Sequence, residues 1–336
     1  ASLPLQDLRD PRAIRVALGA LAVRLDGRPA AANTIARKRA VFHSALAYAA
    51  ELGLLPSNPL DQVGWKGPAA NAAVNPVTMA SPAQVRAIFA EVDRLRPELT
   101  AFFACLYYAA LRPEEAVPLR SRDLVLPAHG WGKVILTRAC PRTGSAWTST
   151  GKPYEARSLK HRPDGAIRIV PVPPVLAALL HRHLTRYGTT PDGRLFRGTR
   201  GGPLSESVYG RTWHTARSHA LGPDLAATPL ARRPYDLRHA ALSLWLNATG
   251  APAEVAARAG TSVRVLHTVY THRLHGQQDA VNRQIEHALR RQDQSPLVSA
   301  SGSANRLHHP EPVRHMSVNG PRRAVRRQPH GTINRA

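Results

Sequence analysis

The chain has 336 residues, a length that suggests about two domains, and 43% of them are hydrophobic, enough to bury a core. Its formal net charge of +24 points to a polyanionic partner, DNA or RNA, with a merely soluble, arginine-rich basic protein as the other reading. Two cysteines, Cys105 and Cys140, exclude a disulfide framework and a cysteine-rich zinc site, and no apolar run approaches the roughly 18 residues that a membrane span needs. Asp7, Arg9, Asp10 and Arg12 leave no room for a secretory apolar segment, so a reduced, cytoplasmic setting is expected.

The first elements read as helical. Asp10-Pro11 has the form of an N-cap followed by a first-turn proline, and Ile14, Leu18, Leu21 and Leu25 recur at helical spacing. A second helix follows Asn33, with Ile35, Phe42, Leu46 and Ala49 on one face and an end near Gly53. Its polar side carries Arg37, Lys38 and Arg39, which fit either a patch touching a nucleic-acid backbone or a solvated charged face. Residues 67–80 lack periodicity and read as a linker.

A second domain opens with a capping box at Ser81-Pro82-Ala83-Gln84, and its first helix carries Val85, Ile88, Phe89, Val92 and Leu95 on one stripe. Another helix is expected from Pro97 to Ala110, with Cys105 as a small core residue. Strand signals follow at Leu124-Val125-Leu126, Val134-Ile135-Leu136 and Ala166 to Val172. Helices return at Pro174–Tyr187, Ser205–Ala220, Pro234–Ala248, Pro252–Ala259, Val263–Tyr270 and Gln277–Arg290. This order predicts an α+β protein. A small all-helical domain (1–66) and a linker (67–80) precede a mainly helical domain with a small antiparallel sheet (81–290). A basic tail (291–336) without aromatic residues is expected to be disordered.

Four local contexts carry chemistry. Arg112 stands in Leu111-Arg112-Pro113-Glu114-Glu115, where one helix ends and Pro113 can begin the next. Lys160 precedes the turn Pro163-Asp164-Gly165 and the strand Arg168-Ile169-Val170-Pro171. Arg238 lies in Tyr235-Asp236-Leu237-Arg238-His239, and Tyr270 in Val269-Tyr270-Thr271-His272. Two guanidiniums can clamp one phosphate through bidentate, charge-assisted hydrogen bonds. An ammonium can protonate a leaving oxygen, and a phenol can attack phosphorus.

In this order the four contexts resemble the active site of the tyrosine recombinases, the phage-type integrases, in an actinobacterial-like form. The likeness extends over about Thr34 to Arg290, including Ala45-Leu46-Ala47-Tyr48 and Gly53-Leu54-Leu55-Pro56-Ser57-Asn58-Pro59. The resemblance implies a DNA breaking-rejoining fold with a helical core-binding domain before the catalytic domain. The short first segment and the initial Ala fit a missing N-terminal piece. Arg112, Lys160, Tyr235, Arg238 and Thr261 would stand at the catalytic positions, with Tyr270 as nucleophile, through a 3′-phosphotyrosine and without metal or other cofactor. The resemblance further implies double-stranded DNA with specific attachment sites, a homotetramer on paired sites, a possible directionality factor, and a nucleoid location.

The chain departs from the family pattern at two positions. Tyr235 stands where histidine is usual, so a phenol replaces an imidazole there. Thr261 stands where histidine or tryptophan is usual, within Ala259-Gly260-Thr261-Ser262. A DNA-binding relative that has lost cleavage, or a type IB topoisomerase-like enzyme, are the alternatives.

Overall fold

The computed structural model describes residues 4–68, 75–160, 162–199 and 201–274, together with 282, 283, 285, 286 and 290. The helix expected over Gln277 to Arg290 lies mostly outside the described residues, and the tail 291–336 wholly so. One compact unit runs to Gln284 and a second from Ile285 to Ala336. In the second, Arg290 and Glu286 pair one helical turn apart at 3.7 Å.

Helix α1 (Pro11–Leu21) starts as its sequence dictates, with the Asp10 carboxylate accepting from the Arg12 backbone N–H. Ile14 and Leu18 are fully buried. Leu25 does not join them. The helix stops at Leu21, the chain turns through Gly27 in a left-handed conformation, and Leu25 is left exposed. Helix α2 (Ala32–Glu51) buries Ile35, Leu46 and Ala49. Leu46, Ala49, Leu55, Leu60 and Val63 close a small core with Ile14 and Leu18.

A larger and separate core holds the remaining described elements. It already includes Met79 and Ala80 at the end of the expected linker, and the Ser243 hydroxyl approaches the Met79 sulfur at 2.9 Å. Helix α3 (Pro82–Leu95) carries the capping box in full. Ser81 Oγ accepts from the Gln84 N–H, and Gln84 Oε1 accepts from the Ser81 N–H. The stretch from Pro97 resolves into a 3-10 turn and α4 (Thr100–Tyr108), which is buried almost all round. An all-apolar helix of this kind belongs in the centre of a domain. Cys105 is fully enclosed, and burial pushes its thiol up to about 12.

After α4 the backbone makes a left-handed step at Ala110 (φ 47°) and enters the short helix α5 (Pro113–Ala116). Strands β1 (Leu124–Val125), β2 (Gly132–Leu136) and β3 (Arg168–Val172) form an antiparallel sheet in chain order. Strand alternation turns Arg168, Val170 and Val172 inward together, so β3 delivers one guanidinium into the core. Helices α6 (Pro174–Tyr187) and α9 (Pro252–Ala259) have the bounds that their sequence signals predict.

Helix α7 (Glu206–Ala227) continues past the expected Ala220. Gly222 leaves helical geometry at φ 74°, and Pro223 starts a second helical stretch. Its inner face is anchored by Trp213, whose Nε1 donates to the Ala231 carbonyl at 2.8 Å. The buried Arg217 guanidinium donates to the carbonyls of Leu225, Ala226, Thr228 and Leu230. Helices α8 (Asp236–Thr249) and α10 (Val263–Leu274) complete the described fold, with Gly250 and Gly260 as left-handed caps after α8 and α9. Among the described residues no helix is long and apolar enough to cross a membrane.

Candidate active site

Arg112 is placed by the break between α4 and α5. As the residue before Pro113 it is held extended (φ −73°, ψ 150°), and Glu115 locks it there. Glu115 Oε2 accepts from the Arg112 backbone N–H at 2.9 Å, while Oε1 accepts from Nη1 at 2.7 Å. The other end of the guanidinium, Nη2, donates to the Gly260 carbonyl at 2.9 Å. Arg168 reaches the same carboxylate from β3, Nη1 to Oε1 at 2.9 Å and Nη2 to Oε2 at 2.7 Å. One buried carboxylate therefore fastens two guanidiniums from distant parts of the chain.

Arg238 sits in the first turn of α8, only 2% exposed. It donates to the Ala110 carbonyl, which the left-handed step turns toward it, and to the Ala259 carbonyl at 2.7 Å. Arg112 is thus tied to the carbonyl after α9, and Arg238 to carbonyls at the ends of both α4 and α9. Tyr270, on α10, is also 2% exposed, and its hydroxyl lies 2.7 Å from His239 Nδ1.

A cavity of about 870 Å³ collects these groups. Arg112, Lys160, Tyr235, Arg238, Thr261 and Tyr270 all line it, with Arg162 and His239. Lys160 is exposed and lines it, whereas Lys152, eight residues earlier in the chain, is not among the lining residues. Thr261 follows the α9 cap, its N–H bonded to the Ala256 carbonyl at 3.0 Å. Among the described residues no group of three His, Cys, Asp or Glu could hold a metal ion.

The electrostatics favour an anion. Burial would push the Glu115 carboxyl up, but the hydrogen bonds and charge of Arg168, with Arg112 and Arg238, hold it down at about 2. Arg112 keeps its proton more firmly than usual, because Glu115 beside it outweighs burial. Arg238 is shifted the other way by burial and by its neighbour Arg112. Three guanidiniums around a single carboxylate leave uncompensated positive charge beside the cavity, fixed before any ligand arrives. Burial pushes the Tyr270 phenol well above its usual range, although Arg238 opposes this. The His239 imidazole is pushed down to about 4, by burial first and then by Arg238 and Arg233.

The tyrosine recombinase XerC of Mesorhizobium japonicum is 29% identical over 216 residues, covering 62% of this chain and 58% of that protein. XerC of Nitrobacter winogradskyi is 32% identical over 135 residues, 40% of this chain and 34% of the relative. The integrase of transposon Tn1549, solved with circular intermediate DNA, superposes with a TM-score of 0.58 at 18% identity, over 86% of this chain and 88% of that one. The chain is similar to the tyrosine recombinases. A lambda integrase dimer bound to a core site gives a TM-score of 0.51 at 14% identity, over 78% of this chain and 64% of the other. These structural likenesses establish the α+β catalytic-domain fold of the tyrosine recombinases. No family model matches the chain, and it spans less than two thirds of the length of the two curated relatives.

Compared with this family's pattern, the site differs at Tyr235 and Thr261, and both side chains line the cavity nonetheless. Tyr235 packs edge-on to His239 with ring centroids 5.1 Å apart. Two residues inside the quoted contexts gain roles that the sequence reading did not assign to them. Arg168 is the second partner of Glu115, signalled in sequence only by a charged residue at an inward strand position. His239 contacts Tyr270, and its signal is its place one helical turn after Tyr235. The three basic residues of α2 face different surroundings. Arg37 is exposed, Lys38 Nζ donates to the Leu21 carbonyl at 3.3 Å, and Arg39 is half-buried.

Proposed function

We propose that this tyrosine recombinase relative is a site-specific DNA strand transferase, the integrase of a mobile element. The observation that carries the reading is the convergence of Arg112, Arg238, Lys160 and Tyr270 on one cavity with both arginines fixed by the backbone. The two guanidiniums clamp the scissile phosphate and stabilise the added charge of its pentacoordinate transition state. Tyr270 attacks phosphorus, the 5′ oxygen leaves with a proton from Lys160, and a 3′-phosphotyrosine results. This intermediate conserves the phosphodiester's energy, so rejoining needs no nucleotide cofactor. Thr261 is too short to replace an imidazole or indole, and the loss of one such donor corresponds to about a 10–10³-fold slower step. Tyr235 positions the phosphate rather than transferring a proton.

The DNA is double-stranded and carries specific attachment sites. Four protomers act on two paired sites, and an accessory protein sets direction. In this reading residues 1–66 bind the core site with help from Arg37, Lys38 and Arg39. Residues 67–80 connect them to the catalytic domain (81–290). The action takes place in the cytoplasm, at the nucleoid. A second reading, a DNA-binding relative without cleavage, is favoured by Tyr235 and Thr261 alone.

The test is covalent capture. The chain is expressed beside its native flanking DNA, denatured and recovered, and attached DNA is sequenced, with Tyr270→Phe in parallel. DNA attached at one junction and absent in Tyr270→Phe supports the strand transferase. DNA binding without any adduct supports the silent relative. Relaxation of supercoils by a monomer without sequence preference supports a type IB topoisomerase-like enzyme.

A further inference from the structure

We propose that His239 is a catalytic residue of this site, orienting Tyr270 and taking its proton as the new bond to phosphorus forms; this rests on the strand-transfer reading above. The argument starts from what Tyr270 lacks. Its hydroxyl lies in a buried setting that disfavours the phenolate, so attack needs a base within hydrogen-bond reach. Neither departure from the family pattern supplies one, since Tyr235 is itself a phenol and Thr261 an alcohol. Among the described residues that line the cavity, His239 carries the only imidazole.

The geometry is that of a working pair. Nδ1 of His239 stands 2.7 Å from the Tyr270 hydroxyl, and the rings lie 5.9 Å apart at 52°. Tyr235, one helical turn away, also packs against the imidazole, edge-on at 5.1 Å. The charged and titratable groups around His239 are Arg233, Tyr235 and Arg238 from its own segment. Tyr270 faces it from α10, and Arg112, Lys160 and Arg162 line the same cavity. Burial first, and then the cations Arg238 and Arg233, keep the ring neutral in the empty site; in the proposed pair Nδ1 accepts from the Tyr270 hydroxyl while Nε2 holds the ring proton. A bound diester brings negative charge that offsets those cations and strengthens the base. Proton transfer is thereby tied to occupancy of the cavity, and Tyr270 is not discharged without a phosphate in place.

The step balances within the site. The Tyr270 O–H bond breaks and its proton goes to His239 Nδ1. The phenolic oxygen bonds to phosphorus, the bond from phosphorus to the 5′ oxygen breaks, and that oxygen takes a proton from Lys160. Rejoining reverses each transfer, with His239 returning the proton to Tyr270.

Two measurements on the full chain test this. The first needs no DNA. In nitrogen-15 spectra of histidine-labelled protein, the His239 signals, assigned by their loss in His239→Asn, should show an unprotonated Nδ1 that moves in Tyr270→Phe. A proton on Nδ1 at neutral pH would overturn the proposal. The second uses a nicked duplex carrying the junction recovered by covalent capture. Asparagine places an acceptor near Nδ1 but cannot hold the proton. His239→Asn should therefore form adduct about 10²–10⁴-fold more slowly at about pH 7, with the deficit shrinking toward about pH 9 as hydroxide takes over. An Asn variant as fast as wild type, or one equally slow at every pH, overturns the role. A wild-type chain that forms no adduct at all instead removes the strand-transfer reading on which it rests.

Discussion

Replacing Glu115 by glutamine tests whether one carboxylate organises the arginine cluster. The side chain is 1% exposed and accepts four hydrogen bonds, two at each oxygen. Oε2 receives the Arg112 backbone N–H and Arg168 Nη2, and Oε1 receives Nη1 of both arginines. Whichever oxygen becomes the amide nitrogen, two donors lose their acceptor and face another donor. An orphaned buried donor costs about 1–3 kcal/mol, and breaking a buried ion pair from one side costs about 3–5 kcal/mol. The titration points to the same scale. A carboxyl held at about 2 instead of its ordinary 4.5 corresponds to about 3 kcal/mol in favour of the folded chain. Urea unfolding of Glu115→Gln should therefore show stability lower by about 3–5 kcal/mol, with the slope unchanged. In a double-mutant cycle with Arg168→Leu, the two losses should not add, because each removes the same contact. A Glu115→Gln loss below about 1 kcal/mol, or full additivity with Arg168→Leu, would refute the shared-carboxylate reasoning.

The same group predicts an acid dependence. Because the folded value lies below the unfolded one, its contribution is complete above about 4.5 and disappears as pH falls toward about 2, so wild type should lose stability across that window and Glu115→Gln should lose less. Gly260→Ala should unfold the site. Its backbone is left-handed (φ 62°), and an added Cβ would run into the Arg168 guanidinium, so circular dichroism should report a lower melting temperature and capture should report no adduct. Arg238→Lys keeps the charge but cannot hold the Ala110 and Ala259 carbonyls while gripping a phosphate, so adduct formation should fall by about 10²–10³-fold with DNA affinity little changed. With a net charge of +24, binding to an arbitrary duplex should weaken by about 10³-fold or more between roughly 50 and 200 mM salt, and a flat titration would argue against a phosphate-contacting surface.

Much of this was legible before folding because it is local. Proline starts, glycine stops and the Ser81–Gln84 box act within a few residues, and α6 and α9 have the bounds these signals imply. Where a local signal competed with chain direction it failed. Leu25 continued the spacing of α1, but a turn through Gly27 carried it into solvent. The end of α7 was hidden because Gly222-Pro223 reads as a stop, whereas in the fold Pro223 serves as a fresh helix start.

The sequence by itself determined the α+β class and the residue types that could clamp a phosphate and attack it, because periodicity, caps and short motifs are properties of neighbouring residues. Only the tertiary structure decided what each of those residues touches. Glu115 meets Arg168 from a distant strand, and Arg238 spans the carbonyls of Ala110 and Ala259. Tyr270 meets the imidazole of His239, a neighbour of Arg238 to which the sequence reading gave no role. Such contacts join elements far apart in the chain, and no spacing rule reaches across the packing that creates them.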